Sequence, residues 1–263
     1  MLDPTSPLTA PPPRYRIESD SSDEEGQGVY PTTSHRASVP APAVNIRILS
    51  VDSTDPNPTS ISGSAVVGIG QAGKFLLRRS AGRPLFQVEV GGQPAGMGVA
   101  IDGGVLVALQ DGPEPHEVVK QLAGLVKASS WTLFSSYVPS MYIPKHGEHV
   151  PSDPPVRVLS SIDAKGVSYD APNYVTGMAG AFLSQAAHPT GTIPDATLYL
   201  LPLPLSQLSS SALQLALSTL PNPISKALGR RAHWDEDDDE RFAGPGMGAR
   251  PRESSRAEGG MYM

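Results

Sequence analysis

The residues best able to do chemistry lie in one short glycine-rich stretch. Gly68-Ile69-Gly70-Gln71-Ala72-Gly73 follows an apolar run, Ala65 to Ile69, and leads into Gln71 to Arg79, which reads as a helix. A strand, turn and helix with G-x-G-x-x-G spacing lets backbone approach a pyrophosphate and aims a helix N-terminus at its charge. Glu89, near the end of the next β-rich stretch, stands about where a ribose-binding acid would. Gly68, Gly70, Gly73 and Glu89 are therefore the candidate cofactor-binding set. Against them, the helix is short and carries Lys74, Arg78 and Arg79, and the following stretches look like hairpins instead of a βαβ unit. A tight turn that packs a helix on a sheet accounts for the same glycines. Gly68, Gly73 and Lys74 also have phosphate-loop spacing, but Phe75 occupies the place of the Ser or Thr that should ligate magnesium.

Other chemistries fare worse. His146-Gly147-Glu148-His149 lies between Pro144 and Pro151, which places it in a loop without the helical i, i+4 spacing of a zinc protease. No metal site is expected. There is no cysteine, which excludes disulfides, a thiol nucleophile and thiolate metal ligands, and no G-x-S-x-G elbow is present. No catalytic residue can be assigned, and the chain reads as a non-enzyme that needs no cofactor.

The elements that must position any site emerge from the periodicity. Val44 to Val51 alternates apolar and polar residues as a first strand. Leu85 to Val90, Met97 to Ile101 and Val105 to Leu109, separated by Gly91-Gly92 and Asp102-Gly103-Gly104, suggest hairpins. From Glu114 to Lys127, Val118, Val119, Leu122, Leu125 and Val126 form the stripe of an amphipathic helix. Trp131 to Val138 and Val156 to Ser160 read as strands. A helix is expected from about Pro172 to Ala187, with the proline in its first turn. Ala196 to Leu201 reads as a buried strand, and Leu208 to Leu220 as a leucine-rich helix stopped by Pro221. This alternation predicts an α/β fold: a layered αβα sandwich with a mixed sheet and helices on its faces.

The flanks differ in composition. The chain has 263 residues, of which 28 are proline, about twice the usual share. Residues 1–43 are rich in Pro, Ser and acids and are expected to be a disordered tail. The α/β domain is expected over 44–229, a disordered acidic linker over 230–260, and a terminal motif over 261–263. Ser21 and Ser22 each precede an acid by three positions, Glu24 and Glu25, as an acidophilic kinase would need. A net charge of −6 opposes a nucleic-acid footprint. The richest apolar run, Leu198 to Leu205, is too short and is broken by Pro202 and Pro204, so no membrane span is expected. The cytoplasm or the nucleus is the expected location.

Met261, Tyr262 and Met263 combine a flexible apolar side chain, an aromatic anchor and a free carboxylate, the parts of a peptide that enters a pocket. Hydrophobic-Tyr-any residue at a C-terminus resembles the motif by which proteasome activators and assembly chaperones enter pockets between α subunits of the core particle. Ala171-Pro172-Asn173-Tyr174-Val175-Thr176-Gly177, running on to Ser184, and Ile193 to Tyr199 are similar to a helix start and following strand of the proteasome assembly chaperone family, in its fungal chaperone-one branch. The resemblance implies a heterodimer with a second assembly chaperone, seated on the α ring. Two rival readings are an enzyme using Gly68 to Gly73 and a scaffold with some other reader of its C-terminal peptide.

Overall fold

The computed structural model describes residues 41–49, 63–147, 152–160, 164–230 and 232–240. Ser21, Ser22, Met261, Tyr262 and Met263 lie outside the described residues.

Nine strands make one mixed sheet. Three hairpin-linked strands, β3 (Arg83–Val90), β4 (Gln93–Ile101) and β5 (Gly104–Leu109), run antiparallel, and β1 (Val44–Ile48) adds antiparallel to β3. The turns fall at Gly91, Gly92 and Gly103, all at positive φ, where a side chain would be strained. The other half is largely parallel. β2 (Ser64–Ile69) pairs with β5 and with β6 (Ser130–Tyr137), and β6 pairs with β9 (Ala196–Pro202). β7 (Arg157–Ser160) returns antiparallel to β9, and the two-residue β8 (Val167–Ser168) closes the order β1-β3-β4-β5-β2-β6-β9-β7-β8.

Helices cover both faces, and the strands show why. Every residue of β2 is buried: Ala65, Val67 and Ile69 enter one core and Val66 the other, so the run is continuously apolar. On the first face lie α2 (Pro115–Leu125), with Val118, Val119 and Leu122, and α3 (Gly177–Ala187), with Met178 and Phe182. On the second lie α1 (Gln71–Arg79), with Phe75 and Leu76, α4 (Ser210–Leu217), with Leu213 and Leu217, and α5 (Asn222–Leu228), with Ile224 and Leu228. Burying one such side chain contributes roughly 2 kcal/mol, more than a typical hydrogen bond, so these two apolar layers hold the sandwich together. Among the described residues no helix is long and apolar enough to cross a membrane.

Three expectations need correction. The helix expected from Pro172 starts at Gly177, because Gly177 has φ 62° and interrupts any helical path from the proline; Pro172 itself follows a cis bond. The helix expected over 208–220 is shorter, Ser210–Leu217, with the Ser209 hydroxyl capping it by accepting from the Ala212 N–H at 3.2 Å, and a further helix with no counterpart in the sequence reading, α5, begins beyond Pro221. Finally, the domain does not end at Gly229. Residues 232–240, read as linker, pack on α1 and include the short helix α6 (Glu236–Glu240). The sequence hid this because acids dominate the segment and its single apolar anchor, Trp234, shows no periodicity.

Candidate functional site

The glycine turn is a packing device. Gly68 and Gly73 face each other where β2 meets α1, and a Cβ on either would collide with the backbone of the other. Gly70 makes the turn at φ 61°, and its N–H donates to the Leu109 carbonyl at 2.8 Å. Asp111 stands at the mouth of the turn: one carboxylate oxygen lies 3.8 Å from where a Gly70 Cβ would be, and the other accepts the Met178 N–H at 3.1 Å. The acidic α6 is also near, with the Gln71 side-chain amide donating to the Asp239 carbonyl at 3.4 Å. Fixed negative charge at this mouth opposes a phosphate.

Glu89 is not brought to the turn. It lies on β3, separated from β2 by β4 and β5, so three strand spacings, about 14 Å, intervene. The strand after α1 pairs antiparallel with β4 instead of lying beside β2, so no dinucleotide-binding βαβ unit forms. Gly68, Gly70, Gly73 and Glu89 therefore do not form a cofactor site. His146 lies on an exposed loop and His149 is outside the described residues; among the described residues no group of three or more His, Asp or Glu could hold a metal.

A second constellation lies in the loop that leads into α3. Asn173 acts as a clamp: its side-chain oxygen accepts the Ile143 N–H at 2.8 Å, while its amide nitrogen donates to the carbonyls of Ile143 at 2.9 Å and Asp170 at 2.8 Å. Two loops, 138–147 and 169–176, are thereby tied together. Lys145 adds an ion pair to Asp170 at 2.9 Å. The Lys145 ammonium, with help from the Ser168 hydroxyl, holds the Asp170 carboxyl below the usual carboxylate range.

Beneath the clamp the support is aromatic and cationic. Arg157 is 2% exposed, donates to the Ser168 carbonyl at 3.0 Å, and places its guanidinium carbon 3.4 Å from the centre of the Tyr142 ring. Tyr137, Tyr142 and Tyr169 pack edge-on or tilted against one another, with ring centres 5.6 to 6.4 Å apart. Burial pushes the Tyr137 phenol up, and its hydroxyl donates to the Pro155 carbonyl at 2.7 Å.

Above this support, apolar side chains face outward. Of the six large apolar or aromatic side chains exposed among the described residues, Met141 (71%), Ile143, Val167 and Tyr174 (82%) belong to these loops and the adjoining edge strand β8. Sequence reading placed Tyr174 at a helix start and left Met141 and Ile143 unassigned. The signal that was available is Pro139 and Pro144 bracketing apolar residues in a stretch that cannot be regular structure. No titratable pair in the cluster is placed for nucleophilic or acid–base work; what the geometry offers is a braced, apolar contact surface.

No protein-family model matches this sequence, and no curated protein is significantly similar to it. Among solved structures, the fold is similar to that of a protein of unknown function from Thermoplasma acidophilum, 12% identical, covering 68% of this chain and 82% of that one, with a TM-score of 0.43. It is also similar to Pyrococcus furiosus PbaA, described as an archaeal homologue of proteasome-assembly chaperone, 14% identical, covering 70% of this chain and 85% of that one, with a TM-score of 0.47. At such identities the likeness is one of chain path.

Proposed function

We propose that this chain is a non-enzymatic chaperone of 20S proteasome assembly, acting as a heterodimer with a second, related chaperone in the cytoplasm or nucleus. One observation carries the reading: Asn173, the polar centre of the Pro172-Asn173 signature, braces two loops that present Met141, Ile143 and Tyr174 to solvent. A rigid apolar surface without adjacent chemistry suits protein contact. We assign it to the second chaperone domain, because it adjoins β8, the last strand of the sheet among the described residues, whose outer edge another sheet-bearing domain can extend.

In this proposal Met261, Tyr262 and Met263 dock into a pocket between α subunits, Tyr262 as anchor, Met261 as apolar contact and the terminal carboxylate captured by a cation. Three residues bury too little area to bind tightly alone. A tether beginning at Glu240 instead of Gly229 leaves about twenty residues before the motif, a root-mean-square reach of about 25 Å if it behaves as a flexible coil. Domain contacts then hold the motif near its pocket.

Deleting residues 261–263, or substituting Tyr262→Ala, is expected to weaken association with α-ring intermediates while the domain keeps its melting temperature. Unchanged association in a pull-down of α subunits would reject the role of the tail.

A further inference from the structure

Residues 232–240 have the composition of a linker and the contacts of a ligand. Trp234 meets Phe75 edge-on, with ring centres 5.4 Å apart, and lies 5.0 Å from the Arg78 guanidinium. Asp238, 4% exposed, pairs with Arg78. Asp239 accepts the backbone N–H groups of Leu205 and Ser206 at 3.0 and 2.9 Å, and its first oxygen also takes the Trp234 indole N–H at 3.0 Å. Arg79 lies 4.3 Å over the Phe75 ring and donates to the Arg230 carbonyl at 2.8 Å. On the domain side, two guanidinium groups, one aromatic shelf and two aligned main-chain donors converge. Those are the parts of a site for a carboxylate-rich segment with an aromatic anchor.

The segment packs at one edge of the second core. Trp234 is half-buried against Phe75 at the edge of the second apolar layer, Asp239 seals the Leu205–Ser206 turn beside it, and the deeper side chains of that layer, Ile224 and Leu228, belong to α5. A local opening of this edge would uncover Phe75, the two arginines and the Leu205–Ser206 turn. A short connection also keeps a cis segment at millimolar effective concentration, so even modest intrinsic affinity keeps it docked.

We propose that Phe75, Arg78, Arg79 and the N–H groups of Leu205 and Ser206 form a recognition site for acidic, aromatic-bearing peptides, filled in cis by residues 232–240 as a releasable latch. A partner segment of the same chemistry competes for the site, and its binding frees the chain from Trp234 onward. This does not depend on the proteasome reading, so either can fail alone.

The test uses the full-length chain carrying Trp234→Ala and Asp239→Ala together, titrated by fluorescence anisotropy with a labelled peptide of the sequence of residues 232–240. The variant should bind the peptide at least about tenfold more tightly than the parent, whose site is occupied in cis, and adding Arg78→Glu should abolish that gain. Asp239→Asn alone, which keeps size and removes charge, should fall between. Equal binding by parent and variant, or none by a folded variant, overturns the proposal. So does loss of the fold in the double variant, which would make the segment part of the core.

Discussion

The turn at Gly68 to Gly73 and the loop from Asp170 to Gly177 meet at Asp111, whose carboxylate stands beside Gly70 and accepts the Met178 N–H just after Gly177. They use that neighbourhood in opposite ways. In the turn, glycines exist because backbone meets backbone, and nothing projects outward. In the loop, polar side chains are turned inward to tie strands of chain together, and apolar ones are left outside. A stretch that resembles a ligand fingerprint is thus internal packing, while a stretch that resembles an ordinary helix start builds an outward surface. Residue spacing is shared by both uses; what differs is which atoms face solvent.

The sharpest way to break this contrast is Gly73→Ala. The added methyl meets the Gly68 carbonyl, an overpacking that backbone cannot relieve, with an expected cost of about 3 kcal/mol. For a domain of this size calorimetry should record a fall in melting temperature of roughly 6–12 °C. A negligible fall, together with a rise of several degrees in the parent on adding NAD or ATP, would restore the turn as a ligand site, since saturating ligand at a hundred times its dissociation constant adds about 2.7 kcal/mol.

On the loop side, Asn173→Ala removes three hydrogen bonds and should cost about 1–2 kcal/mol. Hydrogen exchange should quicken at the Ile143 amide and stay slow in β2 and β6; a uniform rise across the domain would mean that the loop is part of the core. Tyr174→Ala should change stability by no more than about 0.5 kcal/mol, since the ring is 82% exposed, yet reduce co-purification of the partner chaperone. Unchanged pairing would remove this face from the proposal.

The smallest effect is acid loosening of the clamp. The Asp170 carboxyl is held low by Lys145, so its contribution is complete above the ordinary carboxylate value and is lost as pH falls through the depressed one. Faster exchange at the Ile143 amide should therefore set in only below about pH 4. Asp170→Asn should remove that pH step; its persistence would locate the effect elsewhere.

Much of the architecture was readable from the chain. The hairpins follow Gly91-Gly92 and Asp102-Gly103-Gly104, and α2 follows from its apolar stripe, since local rules decide turns and amphipathic faces. The start of α3 was misplaced because a proline permits a helix without requiring one, whereas Gly177 needs a left-handed conformation visible only in the fold. Asn173 belongs to the stretch that carries the family resemblance, but its partner Ile143 lies thirty residues upstream, beyond any local pattern. Trp234 and Asp239 were read as linker for the same reason: their partners, Phe75, Leu205 and Ser206, are brought near only when the sheet closes.

Composition and periodicity by themselves determined that this chain forms two apolar layers around a mixed sheet, because side-chain burial repeats with the period of each element. Whether glycines cradle a ligand or merely let two backbones touch, and whether an acidic run trails or docks, was decided only by tertiary structure. Those outcomes depend on non-bonded distances between segments far apart in the chain, which no local pattern encodes.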